Sequence, residues 1–411
     1  MAFTYSSTNI YLFSKGDELN NAHVFIVNTT TFKYHLEYMF AGTGAKDSRI
    51  DFNGVTTSSL KNAENMLAGM MADVLRIRRG DRVVFYVQGK PTEGFYEGKF
   101  FGVFKAKDGI VFLDNFDENE QYLYNELGKS LTFRTLLEPD EVYADGITEW
   151  ETLDSIDRVD RPYEMQWSLI YRKLRANRGN TMIAPHEFSR ILRLLREKNN
   201  NQKLTANGFT FNVTNQKIVG TGIERDYAGR KEQIDLLPRI RQKYIENKAF
   251  EAHLQAYIVQ NIGKNTNASL DSTLLGGSNL NWLGNEVFCG VGMQKIDVLL
   301  EISSRNGHTS LTPLELKAVN ADKDAIRQVK RYVEWLKQYY IPNKNVENVD
   351  LKPTIIGRRY KSIWHPQRQE LLSELKEYES KRGHPIAYVE YCVDKNGIHF
   401  QTVSTEPNST L

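Results

Sequence analysis

Short apolar runs broken by Gly, Asp and Asn turns alternate along this chain with stretches whose apolar positions recur every three or four residues. Residues 23–28 read as a buried strand that passes through three threonines into a helix over 32–40, capped by threonine. A strand over 10–13 precedes it and an amphipathic helix over 60–76 follows. Strands are predicted over 81–87, 94–106 and 110–113. Their spacing by Gly and Asp turns suggests a small, strongly curved sheet or barrel. A helix opens at Pro185, with proline in its first turn. Residues 197–203 are polar without periodicity, and 204–235 carry weak structural signals, so 198–238 read as an interdomain connector.

Beyond the connector the order changes. Phe250, Leu254, Tyr257 and Ile258 mark a helix, and strands are predicted over 286–292, 295–300 and 311–317. A long helix over 322–336, a strand over 352–357, a helix over 366–381 and a last strand over 386–393 complete an α/β order. The chain is therefore expected to hold an N-terminal domain over 1–197, the connector, and a C-terminal domain over 239–411.

Composition adds limits. With 411 residues, 40% hydrophobic and 25% charged, the chain has room for two domains of ordinary globular kind. No apolar run approaches the ~20 residues of a membrane span, and no secretory signal is expected at the N-terminus. Cys289 and Cys392 are the only cysteines, which points to a reducing cytoplasm and away from a zinc site. The net charge of +2 says nothing about nucleic acid, but Arg158, Arg161, Arg172, Lys173, Arg175, Arg178, Arg190, Arg193 and Arg196 concentrate positive charge mid-chain.

The candidate chemistry lies in the C-terminal half. Residues two apart in a strand share a face, so Glu315 and Lys317 point one way while Leu314 and Leu316 point into the core. If the two strands pair as a hairpin, Asp297 comes alongside Glu315. Two carboxylates and an amine on an otherwise apolar sheet need a partner, and hard oxygen ligands suit magnesium. The helix that follows carries Gln328 and Tyr332 four residues apart, on one face.

The residues Ile296-Asp297-Val298, Leu314-Glu315-Leu316-Lys317 and Gln328-Val329-Lys330-Arg331-Tyr332 resemble, in this order, the PD-(D/E)xK nuclease superfamily. Within it they look most like NucS-type endonucleases with a Gln-xxx-Tyr helix. The Pro-Asp dipeptide is absent, since Ile296 precedes Asp297. The resemblance implies a restriction-endonuclease-like mixed sheet flanked by helices. It implies Mg2+, replaceable by Mn2+, held by Asp297, Glu315 and the Leu316 carbonyl, and a first-helix acid, Glu251. Lys317, Gln328 and Tyr332 complete the implied catalytic set, and Arg327, Lys330 and Arg331 are candidates for phosphate contact. Residues 1–195 resemble the EVE and PUA-like barrels related to YTH readers of modified bases, through residues 25–28, 80–86, 101–104 and 174–179. Phe40 stands where such domains often carry a pocket tryptophan, and Arg178 lies in the closing segment.

These resemblances imply an endodeoxyribonuclease of restriction or defence, acting as a homodimer on double-stranded DNA, either plain or modified. Trp335, Tyr339 and Tyr340 are the candidate dimer contacts. The alternatives are a repair nuclease for mismatched or branched DNA and a nucleic-acid-binding module with an inactive nuclease fold.

Overall fold

The computed structural model describes residues 21–44, 69–112, 121–129, 131–154, 179–290, 294–343, 349–382 and 385–404. The expected strand over 10–13 and Arg178 lie outside them.

β1 (Ala22–Val27) runs into α1 (Thr29–Glu37). The cap is Asn28, not a threonine. Its side chain accepts from Thr31 N at 2.8 Å while Thr31 Oγ1 accepts from Asn28 N at 3.2 Å, a reciprocal box that starts the helix three residues earlier than expected. Phe32 and Leu36, four apart, face the core, and Phe40 leaves the helix to open β2 (Phe40–Thr43). β3 (Arg82–Val87), β4 (Lys99–Ala106), β5 (Val111–Phe112), α2 (Tyr124–Leu127), β6 (Phe133–Pro139), β7 (Ile147–Thr148), α3 (Glu149–Asp154) and β8 (Asn180–Ile183) follow. The sheet runs β2-β6-β4-β3-β1-β8, with β5 on β6 and β7 on β4. It curls until its ends approach: a Cβ at Gly179 would fall 2.2 Å from Thr43 Oγ1.

α4 (Pro185–Lys198) lies on this sheet, tied by Arg196 Nε to Glu141 Oε2 at 2.9 Å. Burial alone would raise the Glu141 carboxyl. Hydrogen bonds from Arg196 and Tyr143, with the charges of Arg196 and Lys203, instead hold it at about 2. A carboxyl depressed in the folded state stabilises above its unfolded value and loses that contribution as pH falls through the folded one. Glu141→Gln is expected to cost about 1 kcal/mol at pH 7, after allowance for solvent screening of the partly exposed Arg196. In thermal melts that deficit should shrink as pH drops from about 4.5 toward 2.

The connector region holds structure that sequence reading did not find. β9 (Gly208–Asn212) and β10 (Lys217–Thr221) form a hairpin. Phe211 packs 5.0 Å from Phe32 and 5.4 Å from Phe101, ring centre to ring centre, so the hairpin belongs to the N-terminal core.

α5 (Leu237–Ile245), α6 (Glu251–Asn261) and α7 (Ala268–Leu274) lead to the second sheet. β11 (Asn279–Cys289), β12 (Gln294–Ser303) and β13 (Thr309–Leu316) form an antiparallel meander. α8 (Lys323–Trp335) crosses over, β14 (Asp350–Leu351) touches β13, and β15 (Thr354–Arg358) joins β13 in parallel. α9 (Pro366–Arg382) returns the chain to β16 (Ala387–Asp394), parallel to β15. β16 was expected to close the sheet; β17 (Gly397–Val403) does, as an antiparallel edge. Two sheet-rich regions with flanking helices thus make up the described chain. One apolar cluster joins them, with Phe25 and Phe85 at one end and Leu254, Val298 and Leu314 at the other. Among the described residues no helix is long and apolar enough to cross a membrane. Of the candidate dimer contacts, Tyr340 is not available: it is 2% exposed and packs on Trp282.

Candidate active site

The site is built by the meander and two helices. Val298 pairs with Leu314, so Asp297 and Glu315 occupy the next step of the same ladder. Leu314 and Leu316 turn into the apolar cluster while Glu315 turns to the opposite face, under α8. Alternation along one strand therefore carries core and chemistry at once.

Glu315 is almost wholly buried, and donors hold both of its oxygens. Lys317 Nζ donates to Oε1 at 2.6 Å and Tyr332 OH to Oε2 at 2.6 Å. Lys317 Nζ also donates to Gln328 Oε1 at 3.1 Å. The four-residue spacing of Gln328 and Tyr332 thus delivers one group to the lysine and one to the glutamate. Asp297 Oδ2 accepts from Leu316 N at 2.8 Å. It is the Leu316 N–H that meets the aspartate; the Leu316 side chain is core.

The electrostatics are unbalanced. Burial, then the charge of Glu315, then that of Glu251 push the Asp297 carboxyl well above the usual range, against the Leu316 bond and Lys317. Glu251, the first residue of α6, is raised mainly by burial and also by Glu315, although Lys317 and the Ala318 N–H oppose this. Burial would lower the Lys317 ammonium, yet its bond to Glu315 and the charges of Glu315, Glu251 and Asp297 raise it. Burial and the two neighbouring acids raise the Tyr332 phenol, so it remains a donor. Among the described residues, three carboxyl groups thus feel the charge of the Lys317 ammonium, which of the three bonds only Glu315.

Among the described residues no three His, Cys, Asp or Glu side chains are grouped closely enough to hold a metal ion as they stand. The donor set nevertheless fits a hard divalent cation in kind and in charge. Asp297 and Glu315 offer oxygens, and the excess negative charge that burdens Asp297 is what such an ion offsets.

Two contributors escaped sequence reading. Gln255 Nε2 donates to the Asp297 carbonyl at 2.6 Å and fixes that strand from α6. Its spacing of four from Glu251 is the same helical signal that marked Gln328 and Tyr332. Cys289 sits near both acids, and burial with the Glu315 and Asp297 charges pushes its thiol up to about 12.

The phosphate candidates separate. Arg327 is exposed and pairs with Asp324, one turn back on its own helix. Lys330 lies 5.2 Å over the Tyr378 ring of α9. Arg331 is the one whose charge reaches Cys289 beside the acids. Phe40 is fully buried, 4.7 Å from the His35 ring and 5.5 Å from that of Tyr227, and offers no open face.

No protein-family model and no curated protein matches the chain. Solved structures align with part of it, among them the following two. A hypothetical protein from Leishmania major is 11% identical with a TM-score of 0.29, over 44% of this chain and 96% of its own. Human THYN1 protein, solved in complex with 5-methylcytosine-containing DNA, is 10% identical with a TM-score of 0.24, over 43% of this chain and 97% of its own.

Proposed function

We propose that this chain is a magnesium-dependent endonuclease that hydrolyses phosphodiester bonds in double-stranded DNA, and that its curled, PUA-like N-terminal sheet reads a base. One observation carries the reading. Asp297, Glu315, Lys317, Gln328, Tyr332 and Glu251, drawn from two strands and two helices, interact in one cluster whose negative charge exceeds its positive charge. A structural ion pair would not require the third acid.

Asp297 and Glu315, with the Leu316 carbonyl, would hold the ion, which supplies a water of lowered pKa and polarises a phosphoryl oxygen. The chain's own groups do the rest. Lys317 has three N–H donors and uses two on Glu315 and Gln328, leaving one for the attacking water or a phosphate oxygen. Tyr332 fixes the orientation of Glu315, and Gln328 fixes that of Lys317. Glu251, at the solvent edge, is placed to accept a proton or hold a water.

The test is conversion of supercoiled plasmid to nicked and linear forms, with Mg2+ and with EDTA. The expected result is cleavage with Mg2+ alone, lost in Glu315→Gln while DNA binding persists. Equal behaviour of both proteins supports the inactive binding module instead. Both oxygens of Glu315 being held by donors is the observation that favours that second reading. Plain, methylated and mismatched DNA then separate a modification-dependent restriction role from repair.

A further inference from the structure

Arg134 lies on β6 and is 0% exposed. Its Nε donates to the Leu131 carbonyl at 3.0 Å and its Nη1 to Tyr227 OH at 3.2 Å, while Nη2 has no hydrogen-bond partner. No carboxylate pairs with it among the described residues. A guanidinium buried without a counter-charge costs several kcal/mol and is poor material for stability alone. Its plane lies among rings, with Cζ 5.0 Å from the Phe40 centroid and 5.8 Å from that of Tyr227. Tyr122 stands edge-on to Tyr227 at 5.0 Å.

Tyr227 reaches this place from an unusual segment. Residues 222–233, between β10 and α5, have almost no regular structure, and apart from Tyr227 and Gly229 they are exposed. Near its tip, Arg225 Nη1 donates to Tyr38 OH at 2.8 Å and Tyr122 OH to the Asp226 carbonyl at 3.5 Å. One planar ring with one acceptor oxygen is thus inserted from an exposed strap against a cation that can serve two acceptors side by side.

We propose that Tyr227 is a stand-in. The pocket of Phe40, Tyr122 and Arg134 takes an extruded guanine, and the strap withdraws when it binds. Guanine presents O6 and N7 as neighbouring acceptors on a planar ring, the pair that a guanidinium meets with two nitrogens. Tyr227 satisfies only the first of these, which accounts for the unpartnered Nη2. Adenine offers a donor where guanine has O6 and would leave Arg134 in conflict. An unpaired base is the least costly to extrude. The proposal rests on the reading that the N-terminal half binds DNA.

The experiment uses the full chain in EDTA, so that cleavage plays no part. Fluorescence anisotropy is read for labelled duplexes carrying one bulged G, one bulged A, or no bulge. The wild type is expected to bind the G bulge about tenfold tighter than the A bulge. Arg134→Met should abolish that preference while melting at or above the wild-type temperature, since it exchanges an unpaired buried cation for an apolar chain of similar length. Tyr227→Ala, on an exposed strap, should tighten G-bulge binding several-fold by removing the competitor and leave the perfect duplex unchanged. Equal wild-type affinity for the two bulges, or weaker G-bulge binding by Tyr227→Ala, overturns the proposal even if plasmid cleavage is real. A chain that binds none of the three duplexes overturns it together with the DNA-reading role.

Discussion

Asp297→Asn is expected to slow Mg2+-dependent DNA cleavage by at least about 10³ while making the metal-free protein more stable. The two effects have one cause. The Asp297 carboxyl is raised because it is enclosed beside Glu315 and Glu251. An acid raised on folding binds its proton more tightly in the native state. Stability therefore declines as pH climbs from the unfolded value near 4 through the native one. Asparagine removes that charge and keeps an oxygen that can accept from Leu316 N. Melts in EDTA should show the variant ahead of wild type at pH 7 by about 1 kcal/mol, with the advantage fading in acid. Adding Mg2+ should reverse the order, because only the wild type gains from ion binding. A variant less stable than wild type at neutral pH in EDTA would mean that the three acids are not crowded.

Lys317→Met should have the opposite sign on stability. Glu315 is almost wholly buried, and its Oε1 would lose the 2.6 Å bond to the ammonium. A buried charge stripped of its partner costs about 3 kcal/mol. The deficit should be visible in urea titrations at pH 7. Cleavage should fall about 10²- to 10⁴-fold, because the third N–H of Lys317 is also lost. A loss of activity without a loss of stability would place Lys317 outside the pair with Glu315.

The two variants test what was easiest to read in the amino-acid order. β12, β13 and α8 announce themselves because alternation, a turn and a helical period follow one another closely along the chain, and each strand puts an acid on an otherwise apolar run. Glu315 between Leu314 and Leu316 is such a break in pattern, and the four-residue step from Gln328 to Tyr332 is another. Gln255 obeyed the same rule, four residues after Glu251, but its role is carried by a bond to a backbone carbonyl, that of Asp297, which no side-chain pattern announces. The β9–β10 hairpin was passed over because its two strands are short, one is mostly exposed, and the turn has no glycine; Gln216 takes the left-handed conformation instead. The start of α1 was misplaced because three threonines drew attention from Asn28, the stronger cap. Nothing local marks Arg134. Among the described residues no carboxylate pairs with it, and a missing counter-charge leaves no trace in sequence.

The shared interior of the two halves bears on how the chain is made. Leu283 N donates to Asn21 Oδ1 at 2.9 Å across 262 positions, and Asn285 Nδ2 reaches Asp73 at 2.7 Å. During synthesis the first curled sheet waits roughly 5 to 20 s for these partners to leave the ribosome. Through that interval its apolar flank has no cover of its own. The N-terminal half is therefore not a cassette to be cut out and grafted elsewhere. Excised at the connector, it should emerge as a sticky, chaperone-dependent fragment.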